Sequence, residues 1–289
     1  MSEAQTIQWF PGHMAKTRRK IIEDLKLVDI VLELLDARIP QSSSNPILRE
    51  IIQKKPRVVV LNKSDLADQN RTSAWVQHYK AHELRAIPVD SKTGRGLQSI
   101  YKAVCQELSE QIAAWDKKCM SGRPIRAMVL GIPNVGKSSI INRMTVGRKV
   151  GKAEVRDKPG VTRQNRWFTV GKGFELLDTP GVLWPKFEDP IVGEHLAFTG
   201  AVRDEILDIE TLASRLLETL KTLYPKALTD RYKVEILDAH IQGYELLEQI
   251  GRKRGMLISG GEVDTERAAI TVLDEFRGGK LGPITLEWL

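Results

Sequence analysis

Gly131-Ile132-Pro133-Asn134-Val135-Gly136-Lys137-Ser138 matches the pattern G-x-x-x-x-G-K-[ST], a loop that needs a strand before it and a helix after it. Both flanks are present: residues 126–130 read as a β-strand and residues 139–144 as a helix. The glycines permit a tight turn whose backbone N–H groups face an anion, and the following helix presents the positive end of its dipole. Lys137 is placed to reach the β- and γ-phosphates of a nucleotide, and the Ser138 hydroxyl to hold Mg²⁺. Val135, Gly136 and Ser139 line the same turn as further nucleotide contacts.

Outward from this loop, short apolar runs alternate with helical periods. Strands are expected at residues 30–35, 57–61, 85–89, 167–170 and 174–177, with helices at 46–53 and 72–82. A long amphipathic helix is expected over 97–115, because Ile100, Val104, Leu108 and Ile112 repeat every fourth residue. Such alternation predicts an α/β layered domain with a mostly parallel sheet and helices on both faces. Beyond Pro185 and Pro190 strand-like runs nearly vanish, and helical periods cover 206–223, 233–250 and 265–276. The expected division is therefore 1–186 for the α/β domain and 187–289 for an all-α domain large enough to hold its own core.

Asn62-Lys63-Ser64-Asp65 is N-K-x-D at the end of an expected strand. A carboxylate in the plane of a base accepts from N1–H and the exocyclic amine of guanine, a donor pair that adenine lacks. Asp65 is thus the expected guanine selector, with Asn62 bracing the loop and Lys63 lying along the base. Asp90-Ser91-Lys92 fits a second base-supporting loop through its backbone N–H groups, with Asp where Ser is commoner; an ordinary loop is the alternative. Asp178-Thr179-Pro180-Gly181 is D-x-x-G after a strand: Asp178 would hold Mg²⁺ through water, and the Gly181 N–H would sense the γ-phosphate. Thr162 fits the threonine that closes on Mg²⁺ when triphosphate is bound.

With 289 residues, 42% apolar and 28% charged, the chain has the composition of a globular protein. It lacks an uncharged apolar run of about 18 residues and a secretory leader pattern. With only Cys105 and Cys119, a cytoplasmic setting without a membrane partner is expected. The 44 Lys+Arg against 37 Asp+Glu leave +7, which favours polyanions. Between residues 143 and 166 stand Arg143, Arg148, Lys149, Lys152, Arg156, Lys158, Arg163 and Arg166 against Glu154 and Asp157. Arg252-Lys253-Arg254, Lys226, Arg231 and Lys233 add basic charge in the helical part. Trp167 and Trp184 are expected to pack in the core rather than to stack on bases.

The base-reading motif precedes the phosphate loop here, the reverse of the common order, and D-x-x-G comes last. Termini of compact domains often lie close together, so a circularly permuted chain can assemble the same site. This order, with Asp36-Ala37-Arg38 and the opening Trp9-Phe10-Pro11-Gly12-His13-Met14, resembles the circularly permuted GTPases of the YlqF/RbgA (ribosome biogenesis GTPase A) type over essentially the whole chain. The resemblance implies a permuted P-loop GTPase fold and a cytoplasmic GTPase cycling between GTP and GDP in late assembly of the large ribosomal subunit. It also implies that the C-terminal helical domain contacts rRNA. Nothing demands more than a monomer. A nucleotide-gated RNA-binding module with little catalysis is the alternative.

Val182 stands where commoner GTPases carry the glutamine that orients water, so slow intrinsic turnover is expected. By the resemblance His13 is the candidate to orient water; a turn packed beneath Trp9 and Phe10 is the alternative. Asn134 suggests K⁺ as the source of positive charge beside the phosphates, with loop bracing as the alternative.

Overall fold

The computed structural model describes residues 12–52, 55–120, 122–145, 166–171, 173–184, 187, 189–204, 207–234 and 241–289, with side chains from residue 16 onward. Six strands, β1 (Ile30–Asp36), β2 (Arg57–Asn62), β3 (Arg85–Pro88), β4 (Ile125–Gly131), β5 (Arg166–Thr169) and β6 (Phe174–Asp178), form one sheet. Their order is β3-β2-β1-β4-β6-β5, parallel except for β5 against β6. Parallel strands are buried on both faces, which is why β1 and β2 are nearly continuous apolar runs.

The pleat sorts these side chains into two layers. Ile30, Leu32, Leu34, Val58, Val60, Ala127 and Val129 share a cluster with α4 (Leu97–Glu107) and α6 (Lys137–Met144). On the opposite face Val31, Met128 and Leu130 pack with α1 (Gly12–Leu25) and α2 (Pro46–Ile52). Leu35, Val59 and Leu61 meet Trp75 and Tyr79 of α3 (Gln69–Ala81) on that same side. Glu33 is a charged residue within this face; it stays buried because Arg57 (3.1 Å) and the Ser44 hydroxyl (2.9 Å) satisfy it.

The expected helix over 97–115 is two: α4 ends at Glu107, and α5 (Ser109–Lys117) follows a turn at Leu108. Leu108 is the last fully buried member of the stripe, whereas α5 buries no residue completely. The chain bends where the apolar contact that held it ends.

The C-terminal part comprises α7 (Pro190–Phe198), α8 (Ile209–Leu223), α9 (Pro225–Tyr232), α10 (Gly243–Lys253) and α11 (Thr265–Arg277). Both α7 and α9 go beyond the helices expected from periodicity. Pro190 and Pro225 each occupy the first helical turn, where the missing N–H is harmless. The Asp189 carboxylate caps α7 by accepting the Ile191 N–H at 2.9 Å. The helix expected over 233–250 begins at Gly243. Buried apolar residues of α7, α8, α10 and α11 are continuous with those of the α4/α6 face of the sheet.

Candidate functional site

Parallel strands deliver the loops at their C-terminal ends to one edge of a sheet, and ligands of such sheets bind at that edge. Asp36 pairs with Asn62 between β1 and β2, Leu34 with Gly131 between β1 and β4, and Val129 with Asp178 between β4 and β6. N-K-x-D, the phosphate loop and D-x-x-G therefore emerge side by side, although they are spread from residue 62 to residue 181 in an unusual order.

The phosphate loop runs from β4 into α6, with Gly136 as N-cap at φ +98°. A Cβ on Gly136 would lie 2.3 Å from the Asn62 amide nitrogen, so only glycine fits both the turn and the neighbour. That amide donates to the Val135 carbonyl at 2.7 Å, while its oxygen accepts the Ser91 N–H at 3.3 Å. Asn62 thus ties the loops after β2 and β3 to the loop between β4 and α6. Lys63 adopts a left-handed conformation (φ +59°), and its ammonium sits 2.9 Å from Asp36. Asp65 is exposed beside it. The Asp90 carboxylate accepts the Lys92 N–H at 2.8 Å and the Thr93 N–H at 3.2 Å, shaping the turn that presents Ser91 and Lys92. Burial pushes Asp90 up, but the Thr93 hydroxyl and these N–H groups outweigh it and hold its pKa low.

On the phosphate side, Lys137 is buried, with its ammonium on the Gly131 and Ile132 carbonyls at 3.2 and 2.8 Å. Burial lowers its pKa to about 8, opposed by the charge of Asp178. Asp178 is itself pushed up by burial, with Lys137 opposing. Its Oδ2 stands 3.5 Å from the Ser138 hydroxyl, and its Oδ1 is buried without a hydrogen-bond partner among the described residues. An orphaned carboxylate oxygen beside a hydroxyl is a donor set suited to a hard divalent cation. Ser139 follows on the first turn of α6, and Gly181 lies against Pro133 and Lys137. Asn134, also left-handed (φ +56°), donates its amide nitrogen to the Gly200 carbonyl beyond α7 at 2.7 Å.

Val182 is buried: its N–H donates to Gly131 and its carbonyl accepts the Asn45 amide at 3.0 Å. Trp184 packs in the core, edge-on to Phe187. Trp167 does not: it is exposed on edge strand β5, with the Arg126 guanidinium 5.3 Å from its ring. A strand at the end of the sheet order is flanked by another strand on one side only, a position that local sequence does not reveal. Thr162 lies outside the described residues, as do the basic residues from 148 to 163. His13 falls in the first turn of α1, with its side chain outside them.

Sequence reasoning assigned no role to the side chains of Asp36 and Arg38. Both are buried at 1% exposure, and Asp36 accepts from Arg38 Nε (2.9 Å) and Nη2 (2.7 Å) as well as from Lys63. Burial alone would raise the Asp36 pKa; the two cations hold it far below the usual carboxylate range. An acidic residue closing an apolar strand beside N-K-x-D was the available signal. Among the basic residues of the helical part, Arg231 and Arg254 are engaged by Glu275, whereas Lys226, Lys233, Arg252 and Lys253 are exposed.

A parallel sheet with a phosphate loop at its centre and N-K-x-D braced against it defines a P-loop GTPase with a permuted chain. A family model described as "50S ribosome-binding GTPase" matches residues 126–244. The chain is 47% identical to Ribosome biogenesis GTPase A of Bacillus cereus, over 97% of this chain and 93% of the relative. It is also similar to the solved GDP-bound structure of TM YlqF (TM-score 0.66, 27% identity, 93% of this chain and 99% of that one). The GNP-bound YlqF of T. maritima matches with a TM-score of 0.65 and 27% identity, over 94% and 98% of the two chains. The chain belongs to the ribosome biogenesis GTPase A family: it binds guanine nucleotide, hydrolyses GTP and acts in ribosome biogenesis. Among the described residues no helix is long and apolar enough to cross a membrane.

Proposed function

We propose that the protein is a GTP-driven switch of late large-subunit assembly, with residues 1–186 holding the nucleotide and 187–289 contacting rRNA. The observation that carries this reading is Asn62, which bridges the Val135 carbonyl and the Ser91 N–H and so makes one pocket of three separated loops. In that pocket Asp65 accepts from the guanine N1–H and exocyclic amine, Lys63 lies along the base, and the loop of Asp90, Ser91 and Lys92 supports it. Backbone N–H groups of Asn134, Val135, Gly136, Lys137, Ser138 and Ser139 surround the phosphates. Lys137 exchanges its loop carbonyls for phosphate oxygens.

Ser138, Asp178 and Thr162 would hold Mg²⁺, which would supply charge neutralisation at the β- and γ-phosphates. Loss of the γ-phosphate frees the Gly181 N–H, and its segment leads within nine residues of chain into α7, which begins at Pro190. Reorientation of the helical part then changes affinity for the particle. With Val182 packed away from solvent, His13 is the candidate to orient water. A K⁺ ion taking the amide oxygen of Asn134, opposite the nitrogen fixed by Gly200, would add positive charge. Exposed Lys226, Lys233, Arg252 and Lys253 add their charge to that of the basic sequence between residues 143 and 166 in attracting phosphate backbones. The protein acts in the cytoplasm, and a monomer suffices for each of these steps.

Co-sedimentation with large-subunit particles under GTP, GDP and a non-hydrolysable analogue tests the switch; equal binding in all three states overturns it. Turnover of His13→Ala on particles, and turnover in K⁺ against Na⁺, test the other two assignments.

A further inference from the structure

Two consecutive residues at the end of α11 each reach one half of the nucleotide site. The Phe276 ring carries the Arg38 guanidinium 5.2 Å from its centroid. Arg38 holds Asp36, and Asp36 holds Lys63 of N-K-x-D. Arg38 Nη1 is buried without a hydrogen-bond partner among the described residues; with one nitrogen unsatisfied, the guanidinium depends more heavily on Asp36 and the ring face.

Arg277 works in the other direction. It donates to the Ala197 and Phe198 carbonyls at 2.9 and 3.0 Å and pairs with Asp204 at 2.7 and 2.8 Å, fixing the turn that closes α7. Gly200, within that turn, accepts the Asn134 amide of the phosphate loop.

The chain after α11 then returns to the base corner. Gly279 (φ +75°) passes so close to Leu66 that an added Cβ would lie 2.5 Å from Leu66 Cδ2. The Ile284 N–H donates to the Leu66 carbonyl at 2.9 Å, the Leu286 N–H to the Arg38 carbonyl at 2.8 Å, and the Asp68 N–H to the Thr285 hydroxyl at 3.1 Å. Asp65 thus sits between Lys63, clamped through Asp36 and Phe276, and Leu66, clamped by Gly279 and Ile284.

We propose that the C-terminal end of α11 and the segment after it position the nucleotide motifs: Phe276 and Gly279 place Asp65 against guanine, and Arg277 places Asn134 against the phosphates. This rests on the base-reading role proposed for Asp65. A carboxylate accepting two donors must be held within about 0.5 Å of its productive place, and Asp65 is exposed, so its neighbours must hold it. Base discrimination and phosphate sensing are thereby referred to adjacent residues on one helix of the C-terminal part.

The test measures affinities of full-length variants for GDP, for IDP, whose base lacks the exocyclic amine, and for a non-hydrolysable GTP analogue. Phe276→Leu, which keeps apolar bulk without a ring face, and Gly279→Ala should each lower GDP affinity roughly tenfold, about one hydrogen bond to a charged group. IDP affinity should fall less, so that the GDP/IDP ratio shrinks. Arg277→Gln should leave that ratio in place and change the ratio of GTP analogue to GDP. A merely structural role predicts losses in constant proportion, and that result in all three variants overturns the proposal. Asp65→Asn separates the two layers. If it keeps GDP/IDP discrimination, the base-reading role itself fails. If it abolishes discrimination while Phe276→Leu and Gly279→Ala retain it, positioning from α11 fails and the base-reading role stands.

Discussion

The base corner and the phosphate corner of this pocket are built on opposite principles. At the base corner, Asp36 is fully paired, Asn62 uses both ends of its amide, and Asp90 is saturated by its own turn, although Arg38 Nη1 behind Asp36 has no partner among the described residues. At the phosphate corner, Lys137 rests on loop carbonyls, Asp178 leaves a buried oxygen without a partner among the described residues, and Ser138 meets Asp178 only at 3.5 Å. Recognition of a base rewards a rigid, pre-satisfied frame, because any slack lets a wrong base pair equally well. Sensing a phosphate rewards groups whose best partner arrives with the ligand, since only then does its loss change the protein.

The contrast can be broken most forcefully at Asp36. Asp36→Asn leaves the buried Arg38 and the half-buried Lys63 underpaired and should cost about 3 kcal/mol of stability, read by urea unfolding; a loss within experimental error would show that the base corner is not a rigid frame. Lys137→Ala attacks the other corner. Turnover should fall roughly 10²–10³-fold with a smaller loss of stability than at Asp36, because Asp178 is already pushed by burial toward its neutral form, so a stability loss as large as that of Asp36→Asn would erase the distinction between the corners.

Asp65→Asn should weaken GTP binding roughly a hundredfold, two charge-assisted hydrogen bonds being involved. It should strengthen binding of xanthosine nucleotides, whose C2 carbonyl accepts from the new amide; competition binding reads both. The smallest effect is in pH. Lys137 titrates near 8 without nucleotide, and an anionic phosphate raises that value, so affinity is full below pH 8 and is lost as pH rises through it. Between pH 7 and pH 8.5 the loss should be roughly fourfold, accompanied by proton uptake in calorimetry. A flat profile would mean that Lys137 stays charged throughout.

Much of the pocket was legible because its signals are local. Gly131 to Ser138 carry their own turn chemistry, β1 and β2 are apolar runs that announce burial, and N-K-x-D closes a strand. Helix α7 was not legible: its nine residues are mostly apolar, so it shows no amphipathic period, and Asp189-Pro190 marks its start only once read as a cap. Leu108 looked like the middle of one helix because periodicity cannot tell where a covering surface stops. Trp167 looked like core because its type is usually buried.

What the residues determined by themselves was the set of chemical parts and their guanine-specific, phosphate-binding character, since a tight turn or a capped strand depends on neighbours a few positions away. That separated motifs share one edge was foreseeable from alternation of strands and helices. Only the folded chain decided the rest: Asn62 on Val135, Phe276 behind Arg38, Gly200 on Asn134, and Gly279 against Leu66. Those contacts join residues 66 to 238 positions apart: strand order brings Asn62 to Val135, and the core that α7 and α11 share with one face of the sheet brings the other pairs together, a collective outcome that no local window contains.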